Sequence, residues 1–399
     1  MAKRVLVLRF GWLPVPAPAI RNMAQALAAN GVEVRYVTSE SRGATIATQP
    51  LPGAENRVFP LWSRRIPKAP LVVWARQALV FVEFVVRAVA AGLARHADMV
   101  VAVDLDVLLP AWIVARLRGA PLVYYQLEMY TERPYIAAKG FWSFLEGHLI
   151  KRADLVLSCE PNRGRWLEER YGLRTPPLIV RNVPPYPLEV ERTNRIPEML
   201  RAKGLPAART AFYQGWVKPS RCSETLVEAA KFLAPGVVLF LVGPIEDGHR
   251  AALMSRIDAL GVQGRVVVHP MVPPEELSAF TRSADLALVL LKNDCLNSYY
   301  AAPSKLYEAL AAGLPVVAAD FPGLKEIVES KQTGRCANPE DPRAIAQAIN
   351  SILTDDDLRN RMSRNARRAA KERYCYQVEG APLLKVLLAL VQATSPEDA

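Results

Sequence analysis

The sequence predicts an α/β protein of two doubly wound domains, each with a parallel sheet covered by helices on both faces. Three observations lead to this fold class. The chain has 399 residues, more than a single hydrophobic core usually serves, so two domains are expected. Short β-branched runs alternate with amphipathic stretches in both halves of the chain. The β-branched runs are apolar almost throughout, which is typical of parallel strands buried between two layers of helices.

The first half contains six predicted strands, and helices are predicted between them at residues 19–30 and 141–152. The strands are Arg4–Phe10, Val32–Thr38, Met99–Val103, Leu122–Tyr125, Leu155–Ser158 and Leu178–Arg181. In sheets of this kind ligands bind at the carboxyl ends of the strands, so functional side chains are expected in the segments that follow them.

The second half repeats this scheme with five predicted strands and five predicted helices. The strands are Ala211–Gln214, Val237–Val242, Val266–His269, Leu286–Leu290 and Val316–Ala318. The helices are Glu224–Phe232, His249–Leu260, Pro274–Ser283, Pro303–Ala312 and Pro342–Leu353.

The segment 183–195 separates the two halves, because it is rich in proline and charge and lacks apolar periodicity. It predicts an N-terminal domain over residues 1–190 and a C-terminal domain over residues 191–375. The last helix, within residues 376–399, is expected to pack back toward the N-terminal domain.

The composition is that of a globular protein in a reducing compartment. Hydrophobic residues make up 51% and charged residues 22%, which excludes a disordered or fibrous chain. The five cysteines lie far apart with no C-x-x-C pair, so neither a disulfide framework nor a zinc site is expected. Neither a signal peptide nor a membrane-spanning helix is expected, since no long uncharged apolar stretch occurs. The expected location is the cytoplasm.

The net charge of +11 is unevenly distributed. Residues 1–190 contain 24 Lys and Arg against 15 Asp and Glu, whereas the remainder contains 26 against 24. The basic N-terminal half indicates an anionic partner on that side, such as phospholipid headgroups, and a solvated basic surface is the alternative. No nucleic-acid partner is expected, because the sequence has none of the usual binding modules.

One predicted helix, at residues 70–95, is apolar around most of its circumference. Arg76, Glu83 and Arg87 form a narrow polar stripe with a Glu83–Arg87 pair at i,i+4. Residues 57–95 contain seven basic side chains and a single acidic one. Two interpretations stay open. The helix is buried in the N-terminal domain, or it inserts into an anionic membrane surface at the inner face of the plasma membrane.

The segment 297–320, NSYYAAPSKLYEALAAGLPVVAAD, carries the strongest functional signal. Pro303 is a good first helical residue. The free N–H groups of Ser304–Leu306, with the helix dipole and the Lys305 ammonium, predict an anion site. Glu308, one turn further along the same face, can accept hydrogen bonds from two vicinal hydroxyls of a sugar. Together they describe a nucleotide-diphosphate site, and an ordinary surface helix is the alternative.

This segment resembles the donor-binding helix of the retaining GT-B glycosyltransferases of family four, with their P-x-K-x-x-E-x-x-A-x-G-x-P-V-V-A stretch. The resemblance covers most of the chain. It continues through Thr210–Ala230, Leu239–Pro244 with Gly243, Val267–Leu277 with Met271 near the nucleobase, Asp154–Ser158 and Asn182–Pro185. It implies the GT-B fold, in which two Rossmann-like domains face each other across a crevice.

The chain departs from that family's pattern at three places. Tyr300 stands where the family has a second glutamate that contacts the transferred sugar. In the phosphate-binding Arg-x4-Lys-Gly motif, Trp216 takes the arginine position and Arg221 the lysine position. The glycine-rich loop after the first strand is replaced by the proline-rich segment 11–19. The cations expected on the diphosphate are therefore Arg221, Lys218 and Lys305.

Two acidic segments follow predicted strands of the N-terminal half. Asp104-Leu-Asp106 has the form of a metal-binding D-x-D, but GT-B enzymes that resemble this one place no metal there, so a structural strand end is expected. Glu128 follows the strand at 122–125, in a stretch where the family often carries an acidic residue or His facing the acceptor. Glu128 is the candidate for acceptor contact, with a structural role as the alternative.

The resemblance implies a glycosyltransferase that uses a nucleotide-diphosphate sugar, retains the anomeric configuration and needs neither a metal nor a bound cofactor. UDP is expected before GDP, and the acceptor is expected to be a glycan or lipid-linked molecule of the cell envelope. The expected catalytic residues are Arg221, Lys305 and Glu128, and the expected donor-binding residues are Glu308, Ser304, Pro303, Tyr300, Lys218, Gly243 and Met271. A catalytically silent GT-B-like binding protein and a nucleotide-sugar epimerase are the alternatives.

Overall fold

A computed structural model describes residues 2–11, 17–40, 50–66, 73–134, 136–186, 191–205 and 209–393. The chain forms two compact units. Unit 1 comprises Met1–Asn182 together with Glu379–Ala399, and unit 2 comprises Val183–Val378. The chain therefore leaves unit 1 at the beginning of the proline-rich segment and returns to it within the last helix.

Unit 1 is built around a seven-stranded parallel sheet with the strand order β3-β2-β1-β4-β5-β6-β7. The strands are β1 (Arg4–Arg9), β2 (Glu33–Ser39), β3 (Ala54–Phe59), β4 (Met99–Val103), β5 (Leu122–Gln126), β6 (Leu155–Ser158) and β7 (Leu178–Ile179). Every residue of β4 and β5 is buried, as expected for central parallel strands. The chain order reverses between β1 and β4, so their carboxyl ends flank the point at which such sheets bind ligands.

In the described part of the chain, five helices connect successive strands of this sheet. They are α1 (Pro18–Ala29), α2 (Val73–Leu93), α3 (Leu108–Arg118), α4 (Lys139–Leu149) and α5 (Pro161–Tyr171). The start of α5 shows how the sequence sets a helix end. The Glu160 carboxylate accepts a hydrogen bond from the N–H of Arg163 at 2.9 Å, and Pro161 supplies the first helical residue.

The helix α2 is neither wholly buried nor wholly exposed. Its Phe84 and Ala88 side chains belong to the core of unit 1, whereas Leu79, Val82 and Val86 are 47%, 56% and 62% exposed. The burial interpretation therefore holds for one face of the helix, while another face is exposed. The membrane interpretation stays a prediction. Lys68 and the predicted first residues of this helix, 70–72, lie outside the described residues.

The polar stripe of α2 contacts the protein rather than solvent. The predicted Glu83–Arg87 pair is confirmed at 2.8 Å. Glu83 also accepts hydrogen bonds from the N–H groups of Trp62 and Ser63, in a short 3-10 helix at residues 62–65. Partial burial acts to raise the pKa of Glu83, but hydrogen bonds from Ser63, Trp62 and Arg87 lower it to about 2.

Unit 2 contains a six-stranded parallel sheet with the order β10-β9-β8-β11-β12-β13. The strands are β8 (Arg209–Gln214), β9 (Val237–Val242), β10 (Val266–His269), β11 (Leu286–Val289), β12 (Val316–Ala319) and β13 (Gly334–Ala337). The order reverses between β8 and β11, which puts the ligand-binding position of this sheet at the carboxyl end of β8.

The helices of unit 2 alternate with these strands and with one another at its end. They are α6 (Arg195–Ala202), α7 (Ser223–Ala229), α8 (Asp247–Ala259), α9 (Pro274–Ser283), α10 (Leu296–Tyr299), α11 (Ser304–Ala311), α12 (Pro322–Ser330), α13 (Pro342–Leu353) and α14 (Asp356–Glu372). The apolar faces of α11, α12 and α13 belong to one continuous core with β8, β9, β11 and β12.

The helix α15 (Tyr376–Gln392) carries the chain back into unit 1. A buried ion pair fixes its first turns, because Arg181 Nη1 donates to Glu379 Oε1 at 2.8 Å. By length and composition alone the stretch Asp356–Gln392 could cross a membrane, as the core helix of a soluble protein also could, and 39% of its most apolar window is buried. The buried side chains of α15 include Leu383, Leu387 and Val391.

The predicted strands match the observed ones closely, and two strands were missed. The bounds of β4, β6, β9 and β10 agree with the prediction, while the strand predicted at 178–181 ends at Ile179. The missed strand β3, AENRVF, has four exposed residues in succession because it forms the edge of the sheet. The other missed strand, β13, is an edge strand of the unit 2 sheet and has the short sequence GRCA.

Candidate functional site

The carboxyl edge of the unit 2 sheet contains a close approach between two glycines. Gly215 follows β8 with φ +116°, and Gly243 follows β9 with φ +151°. The N–H of Gly215 donates to the carbonyl of Val242 at 2.8 Å. A Cβ atom on Gly243 would overlap with the carbonyl oxygen of Gly215. Only glycine therefore lets the loops after β8 and β9 come this close.

Lys305 lies directly against this pair of loops. A Cβ atom on Gly215 would overlap with its Nζ atom. The ammonium lies 4.8 Å from the centre of the Tyr213 ring, at a distance typical of a cation–π contact. Arg221 and Lys218 lie near enough for their charges to act on Lys305. The structure thus brings together the three predicted cations.

Burial and neighbouring charges change the protonation of Lys305. Burial, followed by the charge of Arg221, lowers the pKa of its ammonium from 10.5 to about 7. Glu308 opposes this shift, and Lys218 adds to it. The three cations repel one another in the absence of an anion, so a bound diphosphate would relieve the repulsion and favour the charged form of Lys305.

The start of α11 supplies backbone donors beside these cations. Pro303 is the N-cap of the helix in an extended conformation, so the prediction that it is the first helical residue is wrong. The N–H of Leu306 donates to the carbonyl of Pro303 at 3.1 Å, and it is not free for an anion as predicted. The donors that the helix start can offer are the N–H groups of Ser304 and Lys305.

Glu308 is held by a chain of hydrogen bonds that the sequence did not reveal. Gln214 Nε2 donates to Glu308 Oε2, and the Thr281 hydroxyl donates to Gln214 Oε1 at 2.8 Å. Gln214 and Thr281 are buried, at the end of β8 and on α9. One carboxylate oxygen of Glu308 is therefore fixed by protein. The available signal was Gln214 itself, a polar residue that closes an apolar strand.

The remaining predicted donor residues stand on loops of the same edge. Tyr300 follows α10, and its ring centre lies 5.2 Å from that of Tyr299. Met271 follows β10 and is 43% exposed. Trp216 is exposed in the loop after β8, and the Lys218 ammonium lies 6.0 Å from its ring centre. The sheet topology therefore places Tyr300 and Met271 at the same carboxyl edge as Lys305.

Cys222 stands where the Arg-x4-Lys-Gly motif of the family has its glycine, and its backbone conformation is one that glycine favours. It has φ +56°, in the left-handed region that favours glycine. Its side chain is fully buried, and burial raises the pKa of the thiol to about 12. A thiol that stays protonated at neutral pH is a poor nucleophile, so Cys222 has a structural role before α7.

The carboxyl edge of unit 1 places Glu128 on a loop that Asp104 organises. Asp104 is buried with φ +69°, and its carboxylate accepts the N–H groups of Leu127 and Glu128, both at 2.9 Å. This is the structural role expected for the D-x-D segment. The Glu128 carboxylate is 41% exposed and lies 3.6 Å from Arg133.

Asp106, the second acid of that segment, is a different case. Its Oδ1 atom is buried and has no hydrogen-bond partner among the described residues. Burial and the neighbouring Asp104 raise its pKa to about 8, so it is largely neutral at pH 7. Within the part of the chain that the structure describes, no group of three Asp, Glu, His or Cys side chains could hold a metal ion.

Two family models cover most of the chain. Residues 16–185 match the glycosyl transferase 4-like domain, and residues 209–369 match the glycosyl transferases group 1 domain. The D-inositol 3-phosphate glycosyltransferase of Xylanimonas cellulosilytica is 28% identical over 294 residues, which are 69% of this chain and 68% of that protein. The matches to three further proteins of that name span 66%, 53% and 47% of their own lengths.

Solved structures with the same fold include one with a bound nucleotide. Sucrose-phosphate synthase from Thermosynechococcus elongatus has a TM-score of 0.76 at 17% identity, covering 98% of this chain and all of that one. Anabaena Alr3699/HepE in complex with UDP and glucose has a TM-score of 0.70 at 18% identity, covering 97% of this chain and all of that one. At these identities the similarity establishes the GT-B fold.

We predict that Lys305 reacts with an amine-directed acylating reagent at neutral pH far faster than an exposed lysine. A neutral amine is the reactive form, and with a pKa of about 7 roughly half of Lys305 is neutral at pH 7. Labelling is followed by mass spectrometry across a pH series, with the exposed Lys231 as the internal control.

The midpoint of the Lys305 labelling profile should lie near pH 7, and Arg221→Ala should move it upward by removing a repelling cation. A Lys305 midpoint equal to that of Lys231 would show that the ammonium is neither desolvated nor repelled.

Proposed function

The chain is a GT-B glycosyltransferase built from a glycosyl transferase 4-like domain and a glycosyl transferases group 1 domain, and on this basis we propose its donor, acceptor and location. The donor is a UDP-sugar, transferred with retention at the anomeric carbon and without a divalent metal. The acceptor is a glycan or a lipid-linked molecule of the cell envelope. The enzyme works at the cytoplasmic face of the plasma membrane.

The observation that carries the donor proposal is the juxtaposition of Lys305 and Glu308 on α11. Residues three apart on a helix lie about 4.5 Å apart along its axis, and they face the same side. A cation surrounded by Arg221 and Lys218 suits the diphosphate, while a carboxylate one turn away suits the ribose hydroxyls. UDP in Alr3699/HepE, which shares the fold, supports uridine as the base.

In the proposed reaction the protein stabilises the charge of the departing nucleoside diphosphate. The bond between the anomeric carbon and the diphosphate oxygen breaks, a bond from the same carbon to an acceptor hydroxyl oxygen forms, and negative charge grows on the departing diphosphate oxygen. Arg221, Lys305 and the first N–H groups of α11 neutralise it, which is the electrostatic form of catalysis. The resemblance supplies no agreed protein nucleophile, and acceptor deprotonation is assigned to an oxygen of the donor diphosphate.

We propose Glu128 as the residue that contacts the acceptor. It is half-exposed on the loop after β5, and Asp104 fixes the backbone of that loop through two hydrogen bonds. A carboxylate in such a position accepts hydrogen bonds from hydroxyls, which suits a sugar or polyol. The D-inositol 3-phosphate glycosyltransferases, which act on a phosphorylated polyol by name, are consistent with an acceptor of this kind.

We propose that unit 1 docks on anionic membrane through the exposed faces of α2 and α4, here termed the α2–α4 face. Its exposed apolar side chains are Leu79, Val82 and Val86 on α2 and Phe141 and Phe144 on α4. The two helices are neighbours, because the Phe81 and Phe141 rings lie 6.3 Å apart. Basic residues upstream, such as the exposed Arg57 and Arg65, supply the attraction to headgroups.

The α4 side of this face is connected to the acceptor loop. The Trp142 ring on α4 lies 5.1 Å from the ring of Tyr130, two residues after Glu128. A bilayer that receives Phe141 and Phe144 would therefore lie close to the loop that carries Glu128. Docking in this way would present a lipid-linked acceptor to unit 1 without a diffusion step through solution.

The first test is a panel of nucleotide sugars with envelope lipid extract, read out as release of nucleoside diphosphate. Glu308→Gln keeps the size of the side chain but weakens acceptance from the ribose hydroxyls, so donor affinity should fall at least about tenfold. Calorimetric titration with the active donor measures it. Unchanged affinity would remove Glu308 from the donor site, and tight binding without product would favour the silent alternative.

Arg221→Ala is the companion variant in the same assay. The charge that Arg221 meets grows as the glycosidic bond breaks, so kcat should fall more than the donor KM rises. A normal kcat would assign this role to Lys218 or Lys305.

The acceptor proposal predicts that Glu128→Gln raises the acceptor KM several-fold while donor affinity stays unchanged, since Glu128 lies in unit 1. Asp104→Asn is the comparison, because it weakens the support of the same loop without altering the exposed carboxylate. Equal acceptor KM values for wild type and Glu128→Gln would contradict the proposal.

The membrane proposal predicts salt-sensitive co-sedimentation with anionic vesicles, since each basic residue near the surface contributes on the order of 1 kcal/mol. Val82→Glu with Val86→Glu should abolish it by placing charges on the α2–α4 face. Met254→Glu, at a similarly exposed apolar position in unit 2, is the control. If the wild type ignores anionic vesicles at low salt, the face does not bind membrane.

A further inference from the structure

Unit 1 contains a cavity at the amino edge of its sheet, opposite to the edge that carries Glu128. The cavity has a volume of about 480 Å³ and is lined by the first residues of β1 and β2 and by the end of α2. Its size lies within the range of small-molecule sites. A six-residue strand spans about 20 Å, so this cavity is well separated from the carboxyl edge. None of the exposed side chains of the α2–α4 face lines it.

Six of the fourteen residues that line this cavity are titratable, and the other eight are apolar or glycine. Arg4, Arg35, Arg95 and His96 line it, against the acids Glu33 and Glu55. The acids are already engaged at 2.8 Å from Arg4 and 2.6 Å from Arg95, respectively. The lining therefore has three guanidinium groups against two carboxylates. Arg35 is the arginine of this lining that has no carboxylate at such short distance.

The buried side chain of Arg35 is the main feature of this cavity. Its side chain is nine-tenths buried, and its Nη1 donates to the carbonyl of Ala91 at 2.9 Å. Its Nε atom is buried without a hydrogen-bond partner among the described residues. The nearest carboxylate, Glu55, lies 3.9 Å away and is shared with Arg95. A buried guanidinium with an unmet donor is costly, and such a group indicates a missing anionic partner.

Burial and neighbouring cations increase the need of Arg35 for an anionic partner. Burial lowers the pKa of its guanidinium, Glu55 opposes the shift, and the nearby Arg57 and Arg95 add to it. Arg35 and Arg95 thus share the Glu55 carboxylate, and Arg57 adds a further positive charge nearby. A dianionic group would compensate this charge better than Glu55 alone, and two guanidinium forks match the oxygens of a phosphate.

We propose that this cavity is a second ligand site, which binds a small soluble phosphorylated compound with its phosphate on Arg35 and Arg95. The remaining volume is available to the organic part of the ligand. The lining includes none of the exposed apolar side chains of the α2–α4 face, which favours a soluble compound over a lipid headgroup. Glu55, which is half-exposed, swings away from Arg95 when the phosphate enters.

The test is calorimetric titration of inorganic phosphate into the full chain carrying Arg221→Ala and Lys305→Ala, which disable the proposed donor cluster. Binding should persist in this background, and adding Arg95→Gln should weaken it at least about tenfold. Arg95 is 62% exposed, so this change leaves the fold intact. Arg57→Gln, which removes the same charge from outside the cavity lining, should change affinity far less.

A steric variant separates the cavity from a general charge effect. Ala28 lines the cavity, and Ala28→Phe should abolish phosphate binding without altering any charge. A phosphate affinity weaker than about 10 mM in the background protein would overturn the proposal. Binding that is unaffected by both Arg95→Gln and Ala28→Phe would overturn it as well. Equal binding of vesicles containing phosphatidic acid by the background protein and Arg95→Gln would exclude the lipid source.

Discussion

The donor edge of unit 2 depends on the approach of two glycine-containing loops. Gly243 allows the loop after β9 to contact the backbone of Gly215, and Gly215 allows Lys305 to lie against that backbone. Neither contact is possible with a Cβ atom at these positions. The position of the Lys305 ammonium therefore depends on this backbone. Hydrophobic packing holds α11 itself, since Leu306 and Leu310 are fully buried.

This packing places cations together before any anion arrives. Burial of an ammonium beside other cations is an electrostatic cost, and the lowered pKa of Lys305 reflects burial first and the charge of Arg221 second. The same arrangement is useful for transferring a sugar away from a diphosphate, because the stabilising charges are already in place and need no rearrangement as the bond breaks. Glu308 limits the cost, and its hydrogen bond from Gln214 keeps the carboxylate near these cations without a direct ion pair.

The sequence predicted those features that depend on local pattern. Central strands such as β4 and β9 are apolar throughout, so their bounds were clear. The spacing of Lys305 and Glu308 on α11 is a local property of a helix and was also predictable. The edge strand β3 was not, because its exposed residues lack an apolar pattern. Thr281 was not predictable either, because it reaches Gln214 across 67 positions of sequence.

The excess positive charge of the N-terminal half also shows that a count of basic residues does not predict which of them face solvent. A count of basic residues treats each one as part of a surface, but several arginines of unit 1 act inside it. Arg76 donates to the carbonyls of Arg64 and Ile66, and the Arg87 guanidinium lies 4.0 Å from the Trp62 ring centre. Such residues hold the segment before α2 against the helix and contribute little to a membrane-facing potential. The basic excess is thus divided between internal contacts, the exposed residues near the α2–α4 face, and the cavity around Arg35, where burial makes each charge count most.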